Sequence, residues 1–244
     1  MFPGQGSQQV GMGEELLDIY PNLLIKEFEQ ALNWSLKDVV LTNDKEEITK
    51  TNIAQPYIFA ISYCYGLEAI KKFGNPRVAI GHSLGEYTAL ALGEYISFSD
   101  ALKIISVRGD AMQKAVENSG TTMAAVLSSE LDKTVNSVSE LNVQGVEINI
   151  SNYNDATQIV ISGKYEDIDY LKSNPKALNA KRVIPLDVAG AFHSPVVTPA
   201  KKDVEEVLEN IEFKPGKFKI YMNVDAQLVD LSNVKERLAN QVDN

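Results

Sequence analysis

Residues 78–90 read VAIGHSLGEYTAL, in which Gly-x-Ser-x-Gly follows a short apolar run and precedes residues that favour helix. This order is typical of a nucleophile elbow, a sharp turn from strand to helix that presents a serine hydroxyl. Gly81 and Gly85 are expected where the crowded backbone leaves no room for a Cβ. The helix after the turn would aim free N–H groups, notably that of Leu84, at an oxyanion. The pattern predicts Ser83 as a nucleophile.

The composition narrows the class of protein. The chain has 244 residues, of which 44% are hydrophobic and 23% charged, as in a soluble globular protein with a sizeable core. No apolar run approaches the roughly 18 residues of a membrane span, and no leader of the secretory kind opens the sequence. Cys64 is the single cysteine, which excludes an intrachain disulfide framework. We therefore expect a cytoplasmic protein with no membrane partner.

The charged and metal-ligating residues exclude other functions. A net charge of −10 argues against a nucleic-acid partner. No cluster of histidines, cysteines and carboxylates has metal-ligand spacing, so we expect no metal. The only histidines are His82 and His193. His82 adjoins Ser83 on a sharp turn, where neighbouring side chains point in different directions, so His193 is the remaining candidate for a general base.

A long apolar helical pattern covers residues 52–73, with Asn52 or Thr51 as the expected N-cap. Its apolar character on most sides predicts a largely buried helix. Gln55 lies near its start, where the side chain could either cap the helix or face a cavity.

A second, amphipathic helix is predicted at residues 99–117, with Ser99 as its N-cap. Arg108 lies on the apolar stripe of this helix. An arginine is rarely buried without an anionic partner. That partner could be an aspartate or glutamate of the protein, or a carboxylate of a ligand.

Residues 122–188 carry a different pattern, β-α-β-β-α-β, which is that of a ferredoxin-like, split βαβ subdomain. The Asn- and Asp-rich residues 151–157 are predicted to form the turn between the two central strands. We expect this subdomain to cover the elbow and form a cleft with the main body. The expected strands are 123–127, 146–150, 159–162 and 181–186, and the expected helices are 130–141, capped by Ser129, and 165–172.

The predicted fold class is therefore α/β. It comprises a hydrolase-like core with a short parallel sheet and a nucleophile elbow, plus an inserted ferredoxin-like (split βαβ) subdomain. The core would span residues 1–120 and 189–244, and the subdomain residues 121–188. A strand at 219–223 and helices at 194–210 and 233–241 would complete the core.

Five short motifs occur along the chain: FPGQGSQ at 2–8, QP at 55–56, GHSLGE at 81–86, RG at 108–109 and GAFHS at 190–194. The first of them, a glycine-containing loop, would by itself fit a surface turn equally well. In their order and spacing the five motifs resemble those of the malonyl-CoA:acyl carrier protein transacylases and of the acyltransferase domains of polyketide synthases. The resemblance covers essentially the whole chain.

The resemblance implies a two-step transfer. Ser83 would carry a malonyl group from coenzyme A as an ester, and the phosphopantetheine thiol of an acyl carrier protein would then take it. His193 would be the general base and later the acid. The backbone N–H groups of Gln5 and Leu84 would form the oxyanion hole. No cofactor is implied, since the coenzyme A thioester is a substrate, and we expect a monomer.

The resemblance also implies how the substrate is recognised. Arg108 would pair with the free carboxylate of malonate, and Gln55 would line the same pocket. Phe192 before the histidine resembles the malonyl-preferring form of the polyketide domains. Because carrier proteins are acidic, a chain of this net charge needs a local basic patch to bind one. Candidate residues are Lys181, Arg182, Lys201 and Lys202.

Two other readings stay open. A serine hydrolase of the α/β type shares the elbow, and Asp187 and His193 follow Ser83 in the chain order of that class. The second alternative is a non-catalytic fragment that only binds carrier protein. The resembled family has a strand before Phe2 and continues past Gln241, so the chain is expected to be a piece trimmed at both ends.

Overall fold

The computed structural model describes all 244 residues of the chain. The helices and strands form two compact units. The first comprises residues 1–113 and 201–241, and the second comprises residues 114–200 and 242–244. The fold is mixed α/β, because the first unit contains a small parallel sheet and the second an antiparallel one.

Short helices precede the long apolar helix of the first unit. Two of them, α3 and α4, were not predicted from the sequence. The Asp44 side chain caps α4 by accepting the N–H groups of Glu46 and Glu47. The elements are α1 (Glu14–Ile19), a π-helical segment (Asn22–Glu27), α2 (Phe28–Leu32), α3 (Leu36–Leu41), α4 (Lys45–Thr49) and α5 (Thr51–Phe73).

Helix α5 starts one residue earlier than expected, and the predicted caps are wrong. Lys50 occupies the N-cap position and makes no side-chain capping bond, while Thr51 lies inside the helix. The backbone N–H of Thr51 instead donates to the Gln113 side chain at 2.8 Å. A residue distant in sequence therefore satisfies the helix start, which no local pattern could show.

The elbow strand is short. β1 (Val78–Ala79) pairs in parallel with β6 (Lys219–Ile220), and Phe2 forms a further parallel bridge to Gly81. Helix α6 (Gly85–Leu92) follows the turn, as expected. The strand predicted at 219–223 ends after its second residue.

Three more helices lie mainly in the first unit: α7 (Phe98–Val116), α10 (Thr198–Glu209) and α11 (Val234–Asn240). The predicted N-cap of α7 is wrong, because the Ser97 hydroxyl, not that of Ser99, accepts the Asp100 N–H at 3.0 Å. The helix predicted from residue 194 begins instead as a 3₁₀ turn, Pro195–Val197, before α10.

The second unit is a four-stranded antiparallel sheet with the order β3-β4-β2-β5. Its core is formed by aliphatic side chains such as Val126, Ile159 and Leu171, which are fully buried. The elements are β2 (Thr121–Leu127), α8 (Leu131–Val143), β3 (Ile148–Asp155), β4 (Gln158–Lys164), α9 (Tyr165–Ser173), a 3₁₀ turn (Pro175–Leu178) and β5 (Arg182–Pro185).

The turn predicted at residues 151–157 is wrong. β3 continues through this polar segment to Asp155, which pairs with Gln158, so the hairpin turn itself is only two residues long. β3 is an edge strand with two register irregularities, and polar side chains are tolerated on such an edge. Ser129 does not cap α8 either, because the hydroxyl of Ser128 accepts the Glu130 N–H.

None of the helices combines the length and the apolar character that crossing a lipid bilayer requires.

Candidate active site

The elbow needs both of its glycines. A Cβ on Gly81 would lie 1.9 Å from the carbonyl carbon of Gly85, and a Cβ on Gly85 would lie 2.5 Å from the Phe2 carbonyl oxygen. Ser83 at the tip has a φ of 51°, a left-handed conformation that costs energy for a residue with a side chain. Such strain at a serine between two glycines is typical of a nucleophile held for reaction.

The N-terminal loop is tied to the elbow and is not a separate surface turn. Phe2 donates its N–H to the Ile80 carbonyl at 2.9 Å and accepts the His82 N–H at 3.0 Å. Gly4 packs so closely that a Cβ there would lie 2.7 Å from the His82 carbonyl oxygen. The N–H groups of Gln5 and Leu84, the predicted oxyanion donors, make no backbone hydrogen bond.

Arg108 contacts the predicted nucleophile directly. Its side chain is buried, with 1% exposed, and its Nη2 donates to Ser83 Oγ at 2.8 Å. Its Nη1 donates to Gln55 Oε1 at 2.6 Å, and Nη2 also donates to Gln241 Oε1 at 3.1 Å. All three acceptors are neutral oxygens, and Arg108 Nε has no partner.

Arg108 therefore lacks the ion pair that usually accompanies a buried structural arginine. None of the ion pairs in the protein involves it. Burial lowers the pKa of its guanidinium, while the nearby Tyr87 and Glu86 raise it. Because this cation is already desolvated in the folded protein, binding an anion adds only the desolvation cost of the anion itself.

Gln55 neither caps its helix nor stands free in a cavity. Its side chain is buried, and besides its contact with Arg108 its Nε2 donates to Gln5 Oε1 at 3.4 Å. Gln5 in turn donates to the Thr51 hydroxyl at 3.2 Å. The first unit thus brings together the predicted residues Ser83, Arg108, Gln55 and Gln5.

Two side chains that the sequence did not single out hold the elbow. Asn223 accepts the Ser83 N–H at Oδ1 (2.8 Å) and donates through Nδ2 to the Gly81 carbonyl at 2.7 Å. Gln241 donates through Nε2 to the Ser83 carbonyl at 2.9 Å. Neither residue belongs to a recognisable motif, and no signal near the elbow points to them.

Glu86 connects these two residues. It is fully buried, and its Oε1 accepts the Asn223 N–H at 3.0 Å while Oε2 accepts from Gln241 Nε2. Burial raises its pKa to about 7, although the hydrogen bonds and the charges of Arg108 and Arg237 act in the opposite direction. The sequence did contain a signal for Glu86, since it is the only charged residue of α6.

The predicted residues His193 and Phe192 lie in the second unit, on a tightly packed loop. A Cβ on Gly190 would lie 2.5 Å from the Val116 side chain. The Phe192 carbonyl accepts the Ser151 hydroxyl at 3.0 Å. His193 is buried and has a φ of 52°, so it is also held in the left-handed region.

No group of three or more histidines, cysteines and carboxylates is placed to hold a metal ion.

Comparison with known proteins identifies the family. The sequence profile of the acyl transferase domain matches residues 1–242. The malonyl CoA-acyl carrier protein transacylase of Bacillus subtilis (strain 168) is 35% identical over 246 residues, which cover 99% of this chain and 77% of that protein. The enzyme of the same name from Staphylococcus aureus (strain MW2) is 33% identical, over 99% of this chain and 79% of its own length.

Solved structures agree. A malonyl-transacylase in complex with its type II PKS acyl-carrier protein superposes with a TM-score of 0.89 at 32% identity, covering 100% of this chain and 80% of that one. An acyl carrier protein S-malonyltransferase from Vibrio cholerae has a TM-score of 0.87 at 30% identity, covering 99% and 80%. This chain belongs to the acyl transferase domain family.

Proposed function

We propose that this protein is a malonyl-CoA:acyl carrier protein S-malonyltransferase acting in fatty acid or polyketide biosynthesis. One observation carries the proposal: a buried arginine without a carboxylate partner donates a hydrogen bond to the hydroxyl of an elbow serine. The site therefore offers a nucleophile and, in contact with it, a group that binds carboxylates. A malonyl thioester requires both.

In the first half-reaction Ser83 Oγ attacks the thioester carbonyl of malonyl-CoA, and His193 takes the hydroxyl proton. The N–H groups of Gln5 and Leu84 stabilise the resulting oxyanion. The carbon–sulfur bond then breaks, His193 returns the proton to the sulfur, and coenzyme A leaves as the free thiol. Ser83 now carries a malonyl ester.

The second half-reaction is the same chemistry in reverse order. The phosphopantetheine thiol of an acyl carrier protein loses its proton to His193 and attacks the malonyl ester. The ester bond breaks, and the proton passes to Ser83 Oγ. The enzyme is regenerated, so the kinetics are ping-pong.

Substrate choice follows from the residues around the serine. In the proposed mechanism Arg108 pairs with the malonyl carboxylate in a charge-assisted contact, and the absence of a protein carboxylate among its hydrogen-bond partners supports this role. Gln55 orients the guanidinium by accepting from Nη1. Phe192 is proposed to favour malonyl over branched extender units.

We extend the proposal to the architecture. The core, residues 1–120 and 189–244, is assigned as hydrolase-like on the basis of its parallel β1–β6 pair and its elbow. Residues 121–188 are assigned as a ferredoxin-like subdomain on the basis of the strand-helix-strand-strand-helix-strand sequence and the order β3-β4-β2-β5. That the protein is a monomer, lies in the cytoplasm and needs no cofactor stays a prediction.

The direct test is intact-mass analysis after incubation with malonyl-, methylmalonyl- or acetyl-CoA. We expect a mass gain of one malonyl group that is larger in yield than the gain from the other two. Adding a phosphopantetheinylated carrier protein should remove the label and malonylate the carrier. Loss of the label to water at an unchanged rate with and without the carrier would indicate a hydrolase instead. If no mass gain is seen with any of the three thioesters, the proposed transferase activity is wrong and only the carrier-binding alternative remains.

Carrier-protein docking gives a separate prediction. Lys181 and Arg182 are exposed at the start of β5. Reversing both charges to glutamate should raise KM for an acidic carrier protein by roughly tenfold, because steering and rim contacts are lost. Acylation by malonyl-CoA should not change. The measurement is steady-state kinetics of each half-reaction at two ionic strengths.

The matched control reverses two exposed lysines of the first unit, Lys26 and Lys37, which gives the same change in net charge. An equal rise of KM in both double variants would show that total charge, and not a docking patch, determines carrier binding.

A further inference from the structure

Glu86 has two buried oxygens, and each accepts from a residue that holds the nucleophile elbow. Oε1 accepts the backbone N–H of Asn223, whose side chain binds both Ser83 and Gly81. Oε2 accepts from Nε2 of Gln241. One carboxylate thus anchors the backbone of Asn223 and the side chain of Gln241, the two residues whose side chains bind the elbow.

The amide orientation of Gln241 depends on Glu86. Gln241 Nε2 has two hydrogens, and it donates to Glu86 Oε2 and to the Ser83 carbonyl. This leaves Oε1 to accept from Arg108 Nη2 at 3.1 Å. In the flipped orientation Oε1 would face a carboxylate and a carbonyl, while the amide N–H groups would face the guanidinium. Both contacts would be repulsive, so an ionised Glu86 selects a single orientation.

We propose that Glu86 is a positioning residue for malonyl transfer. Through Gln241 it holds the guanidinium of Arg108 in place for a carboxylate, and through Asn223 it holds the elbow. The inference rests on the proposed function, since it concerns the malonyl-binding arginine. The hydrogen-bond partners of the Glu86 carboxylate are Asn223 and Gln241, and the Ser83 hydroxyl is not among them.

The ionisation state of Glu86 controls this contact. A proton on either oxygen places an O–H against an N–H donor, Asn223 on one side and Gln241 on the other. Burial raises the pKa of Glu86 to about 7, so the change falls in an accessible range. The charged or titratable groups that act on it are Arg108 of α7, Arg237 of α11 and its neighbour Tyr87.

The first test needs no variant. In the wild-type protein we measure the acylation rates with malonyl-CoA and with acetyl-CoA from about pH 5 to pH 8. The roles of Ser83 and His193 are common to both substrates, so they cancel in the ratio of the two rates. We expect the malonyl-to-acetyl ratio to fall by about tenfold on acidification through the pKa of Glu86, the effect of weakening one hydrogen bond to a charged group.

Glu86→Gln removes the titrating group and leaves one oxygen for two donors, so its N–H₂ faces either the Asn223 N–H or Gln241 Nε2. The variant should show the low malonyl-to-acetyl ratio at every pH, with no inflection near neutrality. The matched control is Glu94→Gln. Glu94 lies just after α6, and its exposed carboxylate pairs with Lys217, so this variant should behave as wild type.

Thermal stability provides a second readout. Native Glu86 takes up a proton near neutral pH, whereas an unfolded chain holds its glutamates ionised until about pH 4.5. The stability of the wild type relative to Glu86→Gln should therefore rise as the pH falls from 8 to 5.

The outcomes separate the two claims. A wild type that gains no malonyl group overturns the proposed function. A wild type that transfers malonyl with a pH-independent ratio overturns the role of Glu86 alone. Equal losses of both acyl groups in Glu86→Gln, together with a lower Tm, would also overturn it, because Glu86 would then only support the fold.

Discussion

Ser83→Ala should abolish the mass gain from malonyl-CoA and lower transfer to carrier protein by at least about a thousandfold. The loss is this large because the hydroxyl forms the covalent bond, and no other group can replace it. The Ser83 backbone contacts with Asn223 and Gln241 do not involve the hydroxyl, so the fold should survive. The measurement is intact mass, with Tm recorded in parallel.

The only cysteine does not compete as a nucleophile. Cys64 is buried, and burial raises the pKa of its thiol to about 12, which removes the thiolate at neutral pH. Label that persists in Ser83→Ala and maps to Cys64 or to another residue would refute the assignment. Ser99→Ala, a change in the middle of the first turn of α7, is the control that should acylate normally.

Arg108→Ala should lower kcat/KM for malonyl-CoA by roughly 10- to 200-fold, the effect of losing a charge-assisted contact worth about 1.5–3 kcal/mol. Acetyl-CoA has no carboxylate and never makes that contact. Its acylation rate should stay the same or rise, because a buried charge without an anion no longer needs to be accommodated. The decisive quantity is the malonyl-to-acetyl ratio of acylation rates.

Two further arginine variants sharpen the test. Arg108→Lys keeps the charge but loses the planar fork, so it should recover only part of the malonyl rate. Arg237→Ala is the matched control for a buried structural arginine, since Arg237 pairs with Asp225 and with the Leu228 carbonyl. That variant should lower Tm. Because the Arg237 charge also lowers the pKa of Glu86, the two acylation rates are compared at about pH 9, where Glu86 stays ionised, and there both should fall equally. If Arg108→Ala behaves like Arg237→Ala, the ligand-binding role is wrong.

Local sequence predicted the elements more reliably than their ends. α5, α6 and α7 occur where the apolar patterns placed them. The predicted N-cap of α7 is wrong, because Ser97 and Ser99 are chemically equivalent candidates only two residues apart, and it is Ser97 that caps the helix. The Asn and Asp content of residues 151–157 predicts a turn, yet the backbone of this segment pairs with β4 as far as Asp155. Composition alone cannot distinguish a polar edge strand from a turn.

The sequence by itself determined the elbow. Its strain and its two glycines arise from contacts among residues that are neighbours in the chain or lie in the adjoining loop, so the motif carries the geometry. The sequence also placed Arg108 on a buried stripe, but left its partner open between a protein carboxylate and a ligand.

Only the tertiary structure decided what surrounds the serine. Asn223 and Gln241 are 140 and 158 residues from Ser83, and Glu86 acts through both of them. Hydrogen bonds between residues so far apart leave no periodicity or spacing in the chain. Their directions depend on how these distant segments pack, and packing places three neutral oxygens and no carboxylate within hydrogen-bonding distance of Arg108.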